Sequence, residues 1–363
     1  MSGLVLLAAG GTGGHMFPAE ALAGQLLSRG YRVGLVTDRR GAGFGERLPA
    51  VEVHRISAGG LAGRGVGSRL VALLHLIRGF FEARRLVARL RPLIAVGFGG
   101  YASVPTVLAA GRAGLPTLLH EQNAVLGRAN RLLARRARAI ATSFADTTAL
   151  TGAKPRFTGN PVRPAIAALA ARAYAAPMES FGLLVLGGSQ GAHVFSQLVP
   201  AAIALLPAEL RQRLAVAQQC RAEDLEAARA AYDALGQPAE LSTFFADVPE
   251  RLGRAHLVIC RSGASTVAEL AAAGRPAILL PFPSATDDHQ TANARSFAAA
   301  GGGWLLPEAE ATPARLAEML TGLIAQPSTL VFAANRAHRA GQPDAAQRLA
   351  DLVGELASTK EAA

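Results

Sequence analysis

Glu269 falls in the early turns of a helix that should begin at Ala264, directly after an apolar strand, Leu257–Cys260, and a Ser262-Gly263 turn. A strand that feeds a helix through a glycine turn leaves backbone N–H groups free at the helix N-terminus, where phosphate oxygens are favoured. A carboxylate in those early turns can accept from both hydroxyls of a ribose. The stretch 257–274, LVICRSGASTVAELAAAG, thus offers phosphate donors and a sugar acceptor together. It also fits an ordinary strand-to-helix connection, because the macrodipole favours an acid near any helix start. His15 directly follows glycines 10, 11, 13 and 14. A neutral imidazole there suits a general base near physiological pH, and capping or packing on the first helix is the alternative. His120-Glu121-Gln122-Asn123 follows another apolar strand. Four such residues are costly to bury without partners, which favours a loop facing a polar ligand. Ser189-Gln190-Gly191 opens a further helix and can offer N–H groups and a hydroxyl to phosphate. Asp287-Asp288 are adjacent acids whose side chains point apart, so no metal requirement is indicated.

Strand and helix patterns that alternate along the whole chain must position these groups, and such alternation predicts α/β layers with parallel sheets. The pattern places a strand at 4–10 and helices from about Pro18 to Arg29, over Ser68–Leu90 and over Arg128–Arg138. It places a later strand at Leu241–Phe245, and the Gly-rich segment Ser57–Gly67 reads as a mobile loop. Gly-Asn-Pro-Val-Arg-Pro at 159–164 divides the chain, because two prolines so close cannot sit inside a regular element. GGTGGH after one strand and GGSQGAH after another form a degenerate repeat. The expected fold is therefore two facing Rossmann-like doubly wound domains. One spans 1–163, with a C-terminal helix of about 341–363 packing back on it, and the other spans 164–340. Ligands in open α/β sheets bind outside the carboxyl ends of the strands. Gly10–His15, Gly97–Ser103, His120–Asn123, Gly187–Gly191, Ser262–Glu269 and Asp287–Gln290 all follow strands, which predicts one shared site in an interdomain cleft.

Composition narrows the partners. Half of the 363 residues are hydrophobic, and the two cysteines, Cys220 and Cys260, lie in apolar runs expected to hold buried reduced thiols. The amino-terminal run is too short for a signal peptide, and no stretch reaches a membrane span, so the chain reads as soluble or peripheral. The net charge is +11, but residues 1–163 carry 22 Lys and Arg against 7 Asp and Glu. A basic first half implies an anionic partner, either a membrane surface or nucleic acid. No recognised nucleic-acid motif accompanies it. On Ser68–Leu90, Leu70, Leu73, Leu74, Ile77 and Phe81 form one stripe predicted to face the core. Val71, Leu76 and Phe80 lie off it beside Arg69 and Arg78, as in a helix resting on an anionic membrane. Arg128, Arg131, Arg135 and Arg138 are expected to share one face of a later helix. A buried helix with solvated charges explains either helix equally well. Gly10–Gly14 with Asp38 also keep a nicotinamide oxidoreductase open.

GGTGGH, GFGGYAS, HEQN, GNPVR, GGSQGA, CRSGASTVAE and TDDHQTANA occur in this order, from about residue 8 to about 295. Together they resemble the MurG family of bacterial cell-wall glycosyltransferases, which have the GT-B fold. The resemblance implies transfer of N-acetylglucosamine from UDP to undecaprenyl-pyrophosphoryl-N-acetylmuramyl-pentapeptide (lipid I), giving lipid II with inversion. It implies no cofactor, no metal, no nucleic acid and a peripheral place on the cytoplasmic face of an anionic inner membrane. It puts Thr12, Gly13 and Gly14 near the donor's pyrophosphate and sugar, Asn123 and Gln290 on the N-acetylglucosamine, and Ser189 on the diphosphate. Arg163 should meet the donor and Glu269 the ribose. Ala264, Ser265, Thr266, Val267 and Ala268 form the nucleotide-binding turn, and Phe245 stands where the family contacts uracil through its backbone. His15 is the expected base, with Glu121 the second choice. The family's pattern is broken at His193, where an Arg is common, and in the PFPSATDDHQ loop, which is one residue longer.

Overall fold

The structure is a computed structural model and describes residues 3–10, 13–38, 49–58, 66–188 and 191–358. Contacts divide the chain into two compact units, Met1–Arg163 with Asp344–Ala363, and Pro164–Pro343.

The first unit is built on strands β1 (Leu4–Ala8), β2 (Arg32–Thr37), β3 (Glu52–Arg55), β4 (Ile94–Gly97), β5 (Thr117–Glu121), β6 (Ala139–Thr142) and β7 (Pro155–Phe157). Every pairing is parallel, in the order β3-β2-β1-β4-β5-β6-β7. Such strands are covered on both faces, so β1 reads LVLLA with all five residues buried rather than alternating. Helix α1 (Gly13–Ser28) and the C-terminal helix Ala345–Ser358 cover one face, where Leu22 and Leu26 join Leu349 and Val353 in one core. Ion pairs Arg29–Asp351 (2.7 Å) and Arg156–Glu355 (3.0 Å) fringe that seam. Exposed pairs of this kind contribute little, so the apolar contact holds the helix. Helix α1 begins at Gly13, not near Pro18, which brings His15 into its first turn.

Helices α2 (Val66–Leu90) and α3 (Ser103–Arg112) cover the other face. The stripe on α2 expected to face the core does the opposite: Leu70, Leu73, Leu74, Ile77 and Phe81 are 46 to 59% exposed, and so is Val71. The buried side is made of small residues, Ala72, Gly79 and Ala83, ending in Leu86 and Val87. A Cβ at Gly79 would meet the Ser57 carbonyl oxygen at 2.0 Å. Close backbone approach therefore selects the small face for burial and leaves the bulky one outside. The later basic helix is also shorter than expected. Helix α4 (Arg128–Leu133) tightens into one 3-10 turn, Ala134–Arg136, so Arg138 lies beyond the helix and the four exposed arginines do not share one face. The Gly-rich segment 57–67 falls largely outside the described residues.

In the second unit, β8 (Phe181–Leu186), β9 (Leu214–Gln219), β10 (Ala239–Ser242), β11 (Leu257–Cys260), β12 (Ala277–Leu279) and β13 (Gly303–Leu305) form a parallel sheet in the order β10-β9-β8-β11-β12-β13. Helices α5 (His193–Ala204), α6 (Leu225–Ala234), α7 (Ala264–Ala273) and α8 (His289–Ala299) follow β8, β9, β11 and β12. Helix α7 is closed by Gly274 in the left-handed region, φ 60°, as helix ends require. Strand β10 stops at Ser242, short of Phe245. Both cysteines are free and buried. Each sheet reverses its winding once, between β1 and β4 in the first unit and between β8 and β11 in the second. Ligand crevices open at such reversals.

Candidate active site

In the first unit the reversal is lined by the start of α1 and the loop after β4. Gly99 (φ +85°) and Gly100 (φ +74°) occupy backbone conformations that other residues rarely adopt. A Cβ at Gly100 would lie 3.1 Å from the Gly10 Cα, and one at Gly99 would lie 3.2 Å from His15 Cε1. The two glycines let the β4 loop close against β1 and against the imidazole. His15 Nδ1 lies 3.2 Å from Gln122 Oε1. Gln122 Nε2 donates to the Phe98 carbonyl (3.0 Å) and the His120 carbonyl (3.2 Å), and it lies 3.0 Å from His120 Nδ1. His120 Nε2 reaches the Gly159 carbonyl at 3.2 Å. Burial pushes the His120 pKa down to about 4, against the pull of that carbonyl, so the ring is neutral at pH 7.

The polar run after β5 is thus not a ligand-facing loop throughout. His120, Glu121 and Gln122 are buried, and only Asn123 is partly open. Their burial is affordable because each is hydrogen-bonded. Glu121 Oε1 accepts from the Asn123 N–H (2.9 Å) and Nδ2 (3.2 Å), and Oε2 accepts from the Gly127 N–H (2.8 Å) and Asn130 Nδ2 (2.8 Å). Both oxygens of that carboxylate are committed to shaping the turn into α4. Gly13 and Gly14 form the first turn of α1, and the Arg163 guanidinium lies 5.9 Å from the centre of the Phe17 ring on the same helix. Thr12 lies outside the described residues.

The second unit presents its reversal between the β8 and β11 ends. A Cβ at Gly187 would meet the Ala192 nitrogen at 2.3 Å, so only glycine permits the turn into α5. Gln219 pins this turn: its Oε1 accepts from the Gly187 N–H (3.2 Å), and its Nε2 donates to the Thr243 carbonyl (3.3 Å). Ser189 lies outside the described residues. At the start of α7 the preceding residue is Gly263, and no side chain caps the helix. Its first N–H groups, those of Ala264, Ser265 and Thr266, therefore remain available to an anion, whereas the Val267 N–H already donates to the Gly263 carbonyl (3.0 Å) and Val267 and Ala268 carry the helix on. The Ser265 hydroxyl is buried with no hydrogen-bond partner, as expected of a donor held for a ligand. Glu269 is partly buried one turn further on. The Ser262 hydroxyl donates to the Gln290 carbonyl (2.8 Å), and Gln290 Oε1 accepts from the Phe282 N–H (2.9 Å), tying α8 to the same crevice. Asp287 and Asp288 precede α8 in left-handed conformations (φ 54° and 51°), each costing about 1 kcal/mol or more. Phe245 is buried beneath the Arg251 guanidinium, 3.9 Å from its ring centre, and Arg251 is held by Glu240 (2.7 Å) and Asp247 (2.8 Å).

Sequence reasoning missed one group here: Gln122 was visible only as part of a polar run. Ser265 was expected within the nucleotide-binding turn, but nothing in the sequence separates its hydroxyl from its neighbours.

Two doubly wound parallel-sheet units, one with an imidazole at its switch point and one with uncapped helix starts and an acid, define a two-domain glycosyltransferase of the GT-B type. The model described as the glycosyltransferase family 28 N-terminal domain matches residues 5–142, and the family 28 C-terminal domain matches residues 182–349. The chain belongs to glycosyltransferase family 28. A relative from Rhodospirillum rubrum, named UDP-N-acetylglucosamine--N-acetylmuramyl-(pentapeptide) pyrophosphoryl-undecaprenol N-acetylglucosamine transferase, is 59% identical and aligns over 97% of this chain and 92% of its own length. One of the same name from Rhodospirillum centenum is 57% identical over 96% and 93%. The crystal structure of Acinetobacter baumannii MurG superposes with a TM-score of 0.79 at 31% identity, covering 98% of this chain and all of that one.

Proposed function

We infer that this chain transfers N-acetylglucosamine from UDP-N-acetylglucosamine to the 4-hydroxyl of the N-acetylmuramyl-pentapeptide on undecaprenyl pyrophosphate, converting lipid I to lipid II with inversion. The observation that carries this is near full-length similarity to relatives bearing that transferase name. The acceptor oxygen attacks the anomeric carbon from the face opposite UDP, the bond from that carbon to the diphosphate oxygen breaks, and the acceptor proton passes to a base. His15 takes that role, supported by its place at the first unit's switch point. Glu121, with both oxygens accepting hydrogen bonds, holds the loop instead. The leaving diphosphate is stabilised by the uncapped N–H groups at the start of α7, the Ser265 hydroxyl, Ser189 and Arg163. Glu269 accepts from the ribose hydroxyls, the Phe245 backbone contacts the uracil, Asn123 and Gln290 contact the transferred sugar, and Thr12, Gly13 and Gly14 meet the donor near its pyrophosphate and sugar. The unit ending at Arg163 takes the acceptor, and the unit beginning at Pro164 takes the donor.

No single helix among the described residues is long and apolar enough to cross a membrane. The exposed apolar face of α2, set in the basic first half, supports peripheral attachment to the anionic cytoplasmic leaflet, where the lipid-linked acceptor is embedded. The function is tested by incubating the full chain with radiolabelled UDP-N-acetylglucosamine and lipid I in vesicles. Label moving into a β-linked disaccharide lipid is expected, and UDP-N-acetylglucosamine consumed only by hydrolysis would refute the transfer.

A further inference from the structure

The buried Gln122 amide has only one orientation that its surroundings accept. Its Nε2 lies 3.0 Å from the Phe98 carbonyl and 3.2 Å from the His120 carbonyl. Carbonyl oxygens cannot donate, so the reversed amide would set its own oxygen against two others. The third neighbour agrees. His120 Nε2 faces the Gly159 carbonyl at 3.2 Å and must carry that ring's proton, which leaves His120 Nδ1 an acceptor that shares the two Gln122 Nε2 hydrogens with the carbonyls. The Gln122 oxygen is thereby turned to His15 Nδ1 at 3.2 Å, and it can only accept. His15 Nδ1 must therefore be the donor.

We propose that Gln122 is a positioning residue that fixes His15 as the Nδ1–H tautomer, so that the lone pair sits on Nε2, the nitrogen that takes the acceptor's proton. The chain Gly159 carbonyl, His120, Gln122, His15 Nδ1 is a relay of orientation, and no proton moves along it. Its members lie at the β5 end and in the segment after β7, α1 carries the base itself, and the Phe98 carbonyl beyond β4 helps to hold the amide. Gln122 thus does for this imidazole what a carboxylate does in a serine-protease triad, without adding a negative charge that would favour the imidazolium. A neutral orienter suits a base that must be unprotonated before each turnover. The inference rests on the reading of His15 as the base, but the tautomer can be measured without activity.

The test uses the full chain labelled with 15N in its histidine rings. Two-bond proton–nitrogen correlation should show His15 with a protonated Nδ1 and an unprotonated Nε2, and His120 with the reverse. His15 found mainly as the Nε2–H form would overturn the proposal. In Gln122→Leu, the His15 signals should move toward a mixture of tautomers. The kcat should fall by roughly 10 to 1,000-fold, below the full cost of a wrong tautomer, with KM for UDP-N-acetylglucosamine within about twofold. An unchanged His15 tautomer in a folded Gln122→Leu protein would also sink it. Should Gln122→Leu fail to fold, the wild-type spectrum decides alone. The two readings fail separately: full turnover in His15→Gln would remove the base, whereas the tautomer is decided by the nitrogen shifts.

Discussion

Replacing Leu73 and Ile77 by Gln on the outer face of α2 should release the protein from anionic vesicles without unfolding it. The two side chains are 52% and 46% exposed, so about half of each is still out of apolar contact. Full burial of a Leu or Ile side chain is worth about 1.5–3 kcal/mol, so sinking the exposed half into the acyl boundary recovers about 1 kcal/mol each. Losing both removes about 2 kcal/mol, or roughly 30-fold in vesicle partitioning. Glutamine is a good helix former, and neither side chain belongs to a core, so Tm should stay within about 2 °C. The assay is flotation with vesicles containing phosphatidylglycerol at low salt, comparing bound fractions of wild type and the double variant. An unchanged bound fraction would refute the assignment of this face to the membrane. A collapse in Tm would instead mean that the face is packed against protein.

Other consequences follow from the site. His120 binds a proton at about 4 in the folded chain and near 6.5 when unfolded, so the unfolded state takes up the proton first as pH falls. The stability from a neutral buried His120 is complete above pH 6.5 and lost between 6.5 and 4, by roughly 3 kcal/mol in all, and urea unfolding at pH 7.5 and 5 should differ by about 2 kcal/mol of it. Glu121→Ala strands the Asn123 and Gly127 N–H groups and Asn130 Nδ2, so it should cost about 3 kcal/mol or more in urea unfolding, with lost activity tracking lost fold. Glu269→Ala should raise KM for UDP-N-acetylglucosamine by roughly 10 to 100-fold with little change in kcat, as steady-state kinetics would show. Gly99→Ala, at φ +85° and 3.2 Å from the His15 ring, should lower kcat at least about tenfold while Tm drops by only a few degrees.

The sheets were legible in the sequence because strands buried on both faces are unbroken apolar runs, and glycines mark the turns at their carboxyl ends. Leu257–Cys260 and the helix from Ala264 to Gly274 stand where the pattern put them. The stripe on α2 was misread for a definite reason. Periodicity finds the bulkiest apolar face, whereas the tight approach of Gly79 to the Ser57 carbonyl buries the smallest. The HEQN run was misread because its partners, Phe98, Asn130 and Gly159, are remote in sequence, and satisfaction of buried polar groups is a three-dimensional property. The same distance hid Gln122: a glutamine's orientation is set by which carbonyls surround it. The start of α1 at Gly13 was hidden by glycines that read as loop but serve as a first turn.

The most direct measurement of the central claim is a crystal structure of the full chain with UDP. Ribose hydroxyls should lie within hydrogen-bond distance of the Glu269 carboxylate, and diphosphate oxygens on the N–H groups that open α7. Diphosphate bound instead at Gly13 and Gly14, with no contact from Glu269, would contradict it.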